Sequence, residues 1–536
     1  MVTDTGRLPL GLLEFQNIRE KGKIYVDKTG LISKIAEQDT PIFFSRPRRF
    51  GKSLLISTLS CLFKNKLEFF HGLSIENTWN DKEYQVVHLD FYGLSEKNSH
   101  ELNRDLGETI IKKFGMEGIV SQCNEMGIRS VDRIFDEICD KLKYNSTVLL
   151  IDEYDAPLTH NISNRIEADN IKKILNNFYS ILKQYTDKFR LIFITGVTRV
   201  SHVSIFSSFN NLLDISLDED FNSLLGFTKD DLEKYFDPYI ENAAHNLKMH
   251  KNDVYKRMEQ YYDGFQFALD AKETVYNPWS ILSFLKLSHK GFKNYWFKSS
   301  GSSTLIMQYL KGDEGFMPLT LQDADLCISE DKLSDRYEIT NIPKNILLFQ
   351  TGYLTIRKKS DEIAQLVYPN TEVEDSIFKL FLMSNELKPD IKFSNEIQNL
   401  TDSIDNRNLK NIVDTFNAIL NDCVSILSNI FNNERSVRDI LYAALPQKIN
   451  LQKIKERETA KGRSDLELLT QKTHMVIEFK RTRTNRDASL SLKEAVEQVK
   501  NKQYGVTYFQ NYALYRVAMV ISTDEKKILY DFCKEI

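Results

Sequence analysis

The feature that most limits what this chain can fold into is an apolar tetrapeptide, Pro41-Ile42-Phe43-Phe44. It runs into Ser45-Arg46-Pro47-Arg48-Arg49-Phe50-Gly51-Lys52-Ser53 and then into a helical stretch from Leu54 to Phe63. A buried strand that feeds a helix through a cation-rich turn closed by Gly-Lys-Ser calls for a sheet whose strand ends are open to ligands. Three later segments read as strands of the same kind: Gln85–Phe91 (QVVHLDF), Thr147–Ile151 (TVLLI) and Arg190–Ile194 (RLIFI). They are short and almost continuously apolar, as strands covered on both faces are. Helical stretches lie between them, Ile166–Lys188 among them. Strands alternating with helices predict an α/β class with a mainly parallel, helix-covered sheet.

From about Gly226 the pattern turns helical. Thr228 with Asp231 three residues on predicts a capped helix start. Helices then dominate to about Asn385, with a short strand pair near Gly352-Tyr353-Leu354. After a polar stretch the last part reads as helices, two strands around Leu466 and Ile477, and more helix. These changes predict three domains, 1–225, 226–395 and 396–536, which suits a 536-residue chain. There are no internal repeats or low-complexity segments.

Composition excludes some classes. No apolar run approaches the roughly 18–20 residues needed to span a bilayer, and Met1-Val2-Thr3-Asp4 lacks the basic start of a signal peptide. A cytoplasmic protein without a membrane partner is expected. Cys61, Cys123, Cys139, Cys327, Cys423 and Cys533 form no CxxC pair, so reduced thiols are expected rather than zinc or disulfides. A net charge of −4 does not by itself advertise a nucleic-acid partner.

The Gly-Lys-Ser turn has the context of a P-loop, whose backbone N–H groups hold phosphate oxygens at a helix N-terminus. Arg48, Arg49, Phe50 and Gly51 form the cradle. Lys52 is placed to reach the β- and γ-phosphates of ATP, and Ser53 to bind Mg²⁺. The usual pattern begins with glycine where this chain has Arg46, so the early loop is expected to be shaped differently. A second signal is Val148-Leu149-Leu150-Ile151-Asp152-Glu153, an apolar run ending in two acids. Asp152 suits the Mg²⁺ and Glu153 the general base that polarises the attacking water. The third is Ile194-Thr195-Gly196-Val197-Thr198-Arg199, with Arg199 as a candidate γ-phosphate sensor. Taken singly, these are also an ordinary helix start, a strand ending in solvent and a surface arginine. Together they sit at strand C-termini, where open parallel sheets bind ligands.

A separate cluster lies near the C-terminus. Two runs flank Gln471-Lys472-Thr473 and predict a β-hairpin. Glu478 and Lys480 share one face, and a turn about Lys472 puts Asp465 opposite roughly 479. Two carboxylates suit a Mg²⁺ that keeps several waters, and Lys480 suits an orienting or charge-stabilising role. Glu467 reads as a solvated neighbour on the same face and His474 as a turn or strand residue. From Phe431 to Ile536 there are 20 Lys and Arg against 14 Asp and Glu, a difference of +6. Arg481, Arg483 and Arg486 are candidate phosphate contacts, although a solvated basic loop has the same look.

At this point the chain resembles the predicted AAA-like P-loop ATPases that often carry a C-terminal nuclease-like domain. The residues carrying the resemblance are Tyr25-Val26-Asp27-Lys28-Thr29, Arg46 to Ser53, Ile151-Asp152-Glu153-Tyr154-Asp155-Ala156-Pro157 and Ile194-Thr195-Gly196-Val197. Leu225-Gly226-Phe227-Thr228, Tyr262-Asp263-Gly264-Phe265, Tyr276-Asn277-Pro278-Trp279-Ser280-Ile281 and Gln350-Thr351-Gly352-Tyr353-Leu354 also match. The resemblance implies that Arg in the first P-loop position is usual. It also implies an extra strand between Walker A and Walker B, which Gln85–Phe91 fits, and a helical, winged-helix-like lid. The spacing D-x12-E-x-K at Asp465, Glu478 and Lys480 resembles the PD-(D/E)XK nuclease superfamily, with Ser464 in place of the proline. Glu434 resembles an additional metal-site acid of that superfamily. Gln498 and Tyr504 resemble its Q-x-Y element, at wider spacing. The expectation is an ATPase whose nucleotide state regulates a Mg²⁺-dependent DNA or RNA nuclease, possible as a homo-oligomer. The alternative is an ATP-dependent switch whose C-terminal domain binds nucleic acid or a protein without cleavage.

Overall fold

The computed structural model describes residues 7–94, 97–118, 130–162, 164–199, 211–296, 306–307, 327–335, 337–338, 341–360, 362–384, 394–424, 431, 434–445, 451–455, 458–459, 462–470, 472–484, 486–502 and 512–536. The described residues divide into two compact units, the first running to Glu374 and the second from Asp375 to Ile536. Among the described residues, no helix is long and apolar enough to cross a membrane.

The first unit is built on β1 (Ile42–Ser45), β2 (Gln85–Asp90), β3 (Thr147–Asp152), β4 (Phe189–Gly196) and the two-residue β5 (Leu213–Asp214). All pair in parallel, in the order β2-β3-β4-β1-β5. β3 is buried at every position and β4 at all but one, as strands covered on both faces must be. β2 falls between β1 and β3 in the chain but lies at the sheet edge beyond β3. The strand that separates β1 from β3 in space is β4. That arrangement opens a crevice at the strand C-termini, with the helix Lys52–Phe63 beginning directly above β1.

The helices that follow belong to the same compact unit. Thr228 and Asp231 form the expected reciprocal cap, each side chain bonding the other's backbone N–H. A π-helical turn, Leu232–Phe236, leads into the helix Asp237–Leu247. A small antiparallel sheet joins β6 (Cys327–Ser329), β7 (Thr355–Ser360) and β8 (Ile363–Val367). The predicted strand pair thus lies just after Gly352-Tyr353-Leu354.

The second unit holds a mixed sheet of β9 (Gln452–Lys455), β12 (Leu466–Leu469), β13 (Thr473–Thr482), β14 (Ala513–Ser522) and β15 (Lys527–Glu535). A two-residue ladder pairs β10 (Glu458–Thr459) with β11 (Gly462–Arg463). The sheet order is β15-β14-β13-β12-β9, and β13 with β14 is its parallel pair. The helix Ala488–Lys502 crosses between those two strands and packs on both. The helix expected after the hairpin is Ala488–Lys502, and two long strands that the sequence reading did not anticipate follow it. The inner strand ALYRVAMVIS (β14) has no polar alternation, and a doubly covered strand cannot be told from a buried helix by periodicity.

Candidate active sites

At the first site β1 and β4 set the loop. Arg46 N–H donates to Gly196 O at 3.2 Å, which ties the loop's start to the end of β4. The Arg46 guanidinium is buried between the rings of Phe44 and Phe267, at 4.4 and 4.2 Å. It donates to the carbonyls of Ser45, Ser216 and Phe221 at 2.9, 2.7 and 2.9 Å. The position that is glycine in the usual loop is here an anchor into the segment after β5. Arg49 (φ 70°) and Gly51 (φ 109°) take left-handed backbone, which turns the chain into the helix. Phe50 is buried edge-on against Phe265 and Phe267. Arg48 lies 5.7 Å from the Tyr92 ring, and Arg49 lies 4.6 Å from that of Trp279.

The chemistry-bearing groups converge. Ser53 Oγ donates to Asp152 Oδ2 at 2.7 Å. Thr195, at the end of the intervening β4, donates to Asp152 Oδ1. Lys52, 5% exposed, donates to the carbonyls of Arg46 at 2.9 Å and Pro47 at 3.3 Å. Burial lowers its pKa, and the charges of Glu153 and Asp152 oppose that shift. Glu153 sits at φ 50°. Its carboxyl is pushed up by burial, against the pull of Lys52 and Arg48. Its Oε2 is buried with no hydrogen-bond partner among the described residues.

Arg199 is placed differently from the other candidates. It is 3% exposed, and its guanidinium engages Asp214 at 3.1 Å and the Leu333 carbonyl at 3.2 Å. A role toward a γ-phosphate requires it to leave both. Asp155, to which no role was assigned from the sequence, organises the turn after β4. It accepts from Thr198 N and Oγ1 at 2.7 and 2.6 Å and from Val197 N at 3.2 Å. The glycines of the matching motifs have steric reasons. A Cβ at Gly196 would lie 2.5 Å from the Tyr154 ring, and one at Gly352 would lie 2.7 Å from Pro47 of the loop. Trp296 Nε1 donates to Arg48 O at 3.2 Å, and Gln350 Oε1 accepts from Arg199 N at 3.1 Å.

At the second site the register places Leu466 opposite Ile477 and Glu467 opposite Val476. Continued by one pair, it puts Asp465 opposite Glu478, one residue from the expected 479. Asp465 Oδ2 accepts from Phe479 N at 2.8 Å. Lys480 Nζ donates to Glu478 Oε1 at 3.2 Å. Glu478 is 1% exposed, and its Oε2 is buried with no hydrogen-bond partner among the described residues. Burial, and then the charge of Asp465, push its carboxyl up to about 7, with Lys480 opposing. Burial also raises Asp465, opposed by the Phe479 N–H and by Arg438. Burial lowers Lys480, but the carboxylates of Glu478 and Glu434 outweigh it and hold the ammonium above its ordinary value.

The helix Glu434–Ala444 brings two more groups. Glu434 Oε1 accepts from Arg481 N at 2.6 Å, and Arg438, one turn on, lies 3.7 Å from Asp465. Arg438 was not singled out from the sequence; its i+4 spacing from Glu434 was the available signal. Glu467 is corrected. It is fully buried, accepting from Ser464 Oγ at 2.8 Å and lying 2.9 Å from His474 Nε2. Arg481, Arg483 and Arg486 are exposed, and Gln498 is half-buried on the helix Ala488–Lys502. Tyr504 and Tyr508 lie outside the described residues. Among the described residues, no three His, Cys, Asp or Glu gather to hold a metal.

A parallel sheet with a phosphate loop, an acid-tipped neighbouring strand and a second sheet carrying Asp465, Glu478 and Lys480 define a P-loop ATPase-like unit joined to a nuclease-like domain. Residues 9–206 match the family model described as a predicted AAA-ATPase, and residues 432–530 match the PD-(D/E)XK nuclease superfamily. An uncharacterized protein in the vnfD 5'region of Azotobacter chroococcum mcd 1 is 32% identical over 386 residues, covering 70% of this chain and 70% of that one. The chain belongs to this family of predicted AAA-ATPases with a C-terminal PD-(D/E)XK nuclease superfamily domain. No solved structure matches it.

Proposed function

We propose that the first unit binds and hydrolyses ATP, that the second cleaves phosphodiester bonds of DNA or RNA, and that the nucleotide state of the first controls the second. The observation that carries this reading recurs at both sites: a buried carboxylate, Glu153 or Glu478, with an oxygen that no donor among the described residues reaches. Such an atom costs roughly 1–3 kcal/mol of desolvation, and it is explained by a ligand that supplies the missing partner. Mg²⁺ fits both donor sets, since it takes one or two carboxylates and keeps its waters. Ser53 and Asp152 would hold it at the first site, and Asp465 and Glu478 at the second, with Glu434 beside them. When bound, the cation polarises phosphoryl oxygens and acidifies water.

The chain's own groups do the rest. Lys52 exchanges the carbonyls of Arg46 and Pro47 for phosphate oxygens. Glu153, already biased toward holding a proton, takes one from the attacking water. An apolar cavity of about 150 Å³ lies beside Arg49, Phe50 and Gly51 and is walled by Leu12, Val26, Leu225 and Trp279; it suits an adenine. At the second site Lys480 stabilises charge on the cleaved phosphate, while Arg481, Arg483 and Arg486 hold the backbone of the strand. Cleavage of an oligonucleotide with ATP, ADP or no nucleotide, each with and without Mg²⁺, tests the whole reading. Mg²⁺-dependent cleavage that differs between ATP and ADP is expected. Cleavage blind to nucleotide would remove the control, and binding without cleavage would leave a switch.

A further inference from the structure

Beside the nucleotide cavity lies a second recess that the site assignments above do not use. It is a cavity of about 470 Å³ formed where the N-terminal segment meets the π-helical turn Leu232–Phe236 and the helix after it. Four cations line it, Arg7, Arg19, Lys23 and Lys234, and no acidic side chain is among the lining residues. The described hydrogen bonds of the two arginines go to backbone carbonyls. Arg7 bonds Gly22 O at 3.4 Å, and Arg19 bonds Phe69 O at 2.8 Å and His71 O at 2.5 Å. Those bonds fix the guanidinium groups without neutralising them. Two acids whose charges act on Lys234 are committed elsewhere. Asp27 takes hydrogen bonds from Thr29 and Ser74, and Asp231 pairs with Lys28 at 2.6 Å.

Three tyrosines, Tyr25, Tyr235 and Tyr239, share the recess with these cations. Lys234 sits 4.9 Å from the Tyr235 ring. π-Helical turns are rare and gather at functional sites, and this one presents both residues. Tyr25 and Tyr239 are buried in the wall and Tyr235 is half-buried, so Tyr235 is the ring that can meet a base. A basic recess with such a ring has the chemistry that holds single-stranded nucleic acid, cations on the phosphates and a ring under a base.

We propose that this recess binds a single strand of nucleic acid and that its occupancy alters ATP binding in the neighbouring cavity. The coupling has a physical route. Ile24 and Tyr25 line both cavities. Tyr235 Oη accepts from Asp27 N at 3.3 Å, which pins the helical turn to the same N-terminal segment. A strand in the recess therefore bears on a wall of the nucleotide cavity. This coupling rests on the proposed ATP site; strand binding does not.

The test uses the full chain carrying Asp465→Ala, so that cleavage does not consume the probe. A fluorescein-labelled oligothymidylate is titrated by anisotropy across a salt series, without nucleotide. A bromouracil-substituted oligomer is photocrosslinked, and the attached peptide is mapped by mass spectrometry. Crosslinks are expected at Tyr235. The double variant Arg7→Ala/Lys234→Ala should lower the slope of log affinity against log salt by about 0.7 per side chain removed, the value for a single strand. Both residues are exposed, and an unchanged melting temperature verifies that the variant folds. Crosslinks confined to the second unit, with an unaltered salt slope in the double variant, would overturn the proposal. Equal competition by free thymidine monophosphate would also overturn it, replacing a strand with a mononucleotide. ATP affinity measured with and without the oligomer should differ several-fold in the parent and not in the double variant. If ATP does not bind at all while the crosslinks persist, the nucleotide reading has failed and strand binding stands.

Discussion

Lys52 and Glu153 show how one buried residue reports on a site. Lys52 is enclosed and bonded to loop carbonyls, an arrangement that phosphates can replace at little cost in reorganisation. Lys52→Ala removes charge-assisted hydrogen bonds worth about 1.5–3 kcal/mol. ATP affinity measured by calorimetry should fall at least about tenfold, and an unaltered affinity would contradict the P-loop role. Glu153→Gln keeps the shape of the side chain and removes the proposed base. It should bind ATP yet turn it over about 10²–10⁴-fold more slowly in a phosphate-release assay. Glu478 makes a prediction about pH. Its folded pKa of about 7 lies above the roughly 4.3 of an unfolded glutamate. The folded state thus holds the proton more tightly. The group's contribution to stability is full below about pH 4 and is lost as pH rises through about 7. Glu478→Gln should therefore flatten the fall in stability between those limits in chemical denaturation, and a profile parallel to wild type would contradict the shift.

Single elements carry constraints that no residue shows in isolation. β4 separates β1 from β3, so its last residues, Thr195 and Gly196, sit between the phosphate loop and Asp152. Gly196 is small because Tyr154 fills the space above it, while Asp155 gathers the following turn. Gly196→Ala forces a methyl into that contact. Overpacking of this kind costs about 1–3 kcal/mol, to be read as a lowered midpoint in thermal or urea unfolding. A neutral result would mean that Tyr154 swings away. In the second unit β13 supplies Glu478 and Lys480 on one face while holding β14 in parallel along its whole length. The site therefore sits on the central strands of its sheet, where side chains are held most firmly.

At the scale of the molecule, each of the two compact units carries one of the proposed phosphate-handling sites, and the proposed activities should separate by mutation. Glu478→Ala should abolish Mg²⁺-dependent cleavage and leave ATP hydrolysis intact. Loss of both in parallel assays would point to misfolding.

The strand-to-helix turn at Gly51-Lys52-Ser53, the acid-tipped run to Glu153 and the D-x12-E-x-K spacing were legible because each lies within one or two adjacent elements. Apolar burial and turn chemistry act over such short spans. The sheet order, the capture of Arg46 between Phe44 and Phe267, the diversion of Arg199 to Asp214 and the burial of Glu467 against His474 were not legible. Each joins residues distant in sequence or depends on which strand faces which. β14 escaped because a doubly covered strand carries no alternation to read, and β15 because its buried positions, Ile528 and Leu529, are adjacent rather than alternating on an exposed edge strand. Local sequence determined which chemical groups this protein possesses and where its chain turns. Long-range packing decided which of those groups meet, because desolvation and hydrogen-bond satisfaction are settled by neighbours that no short window of sequence contains.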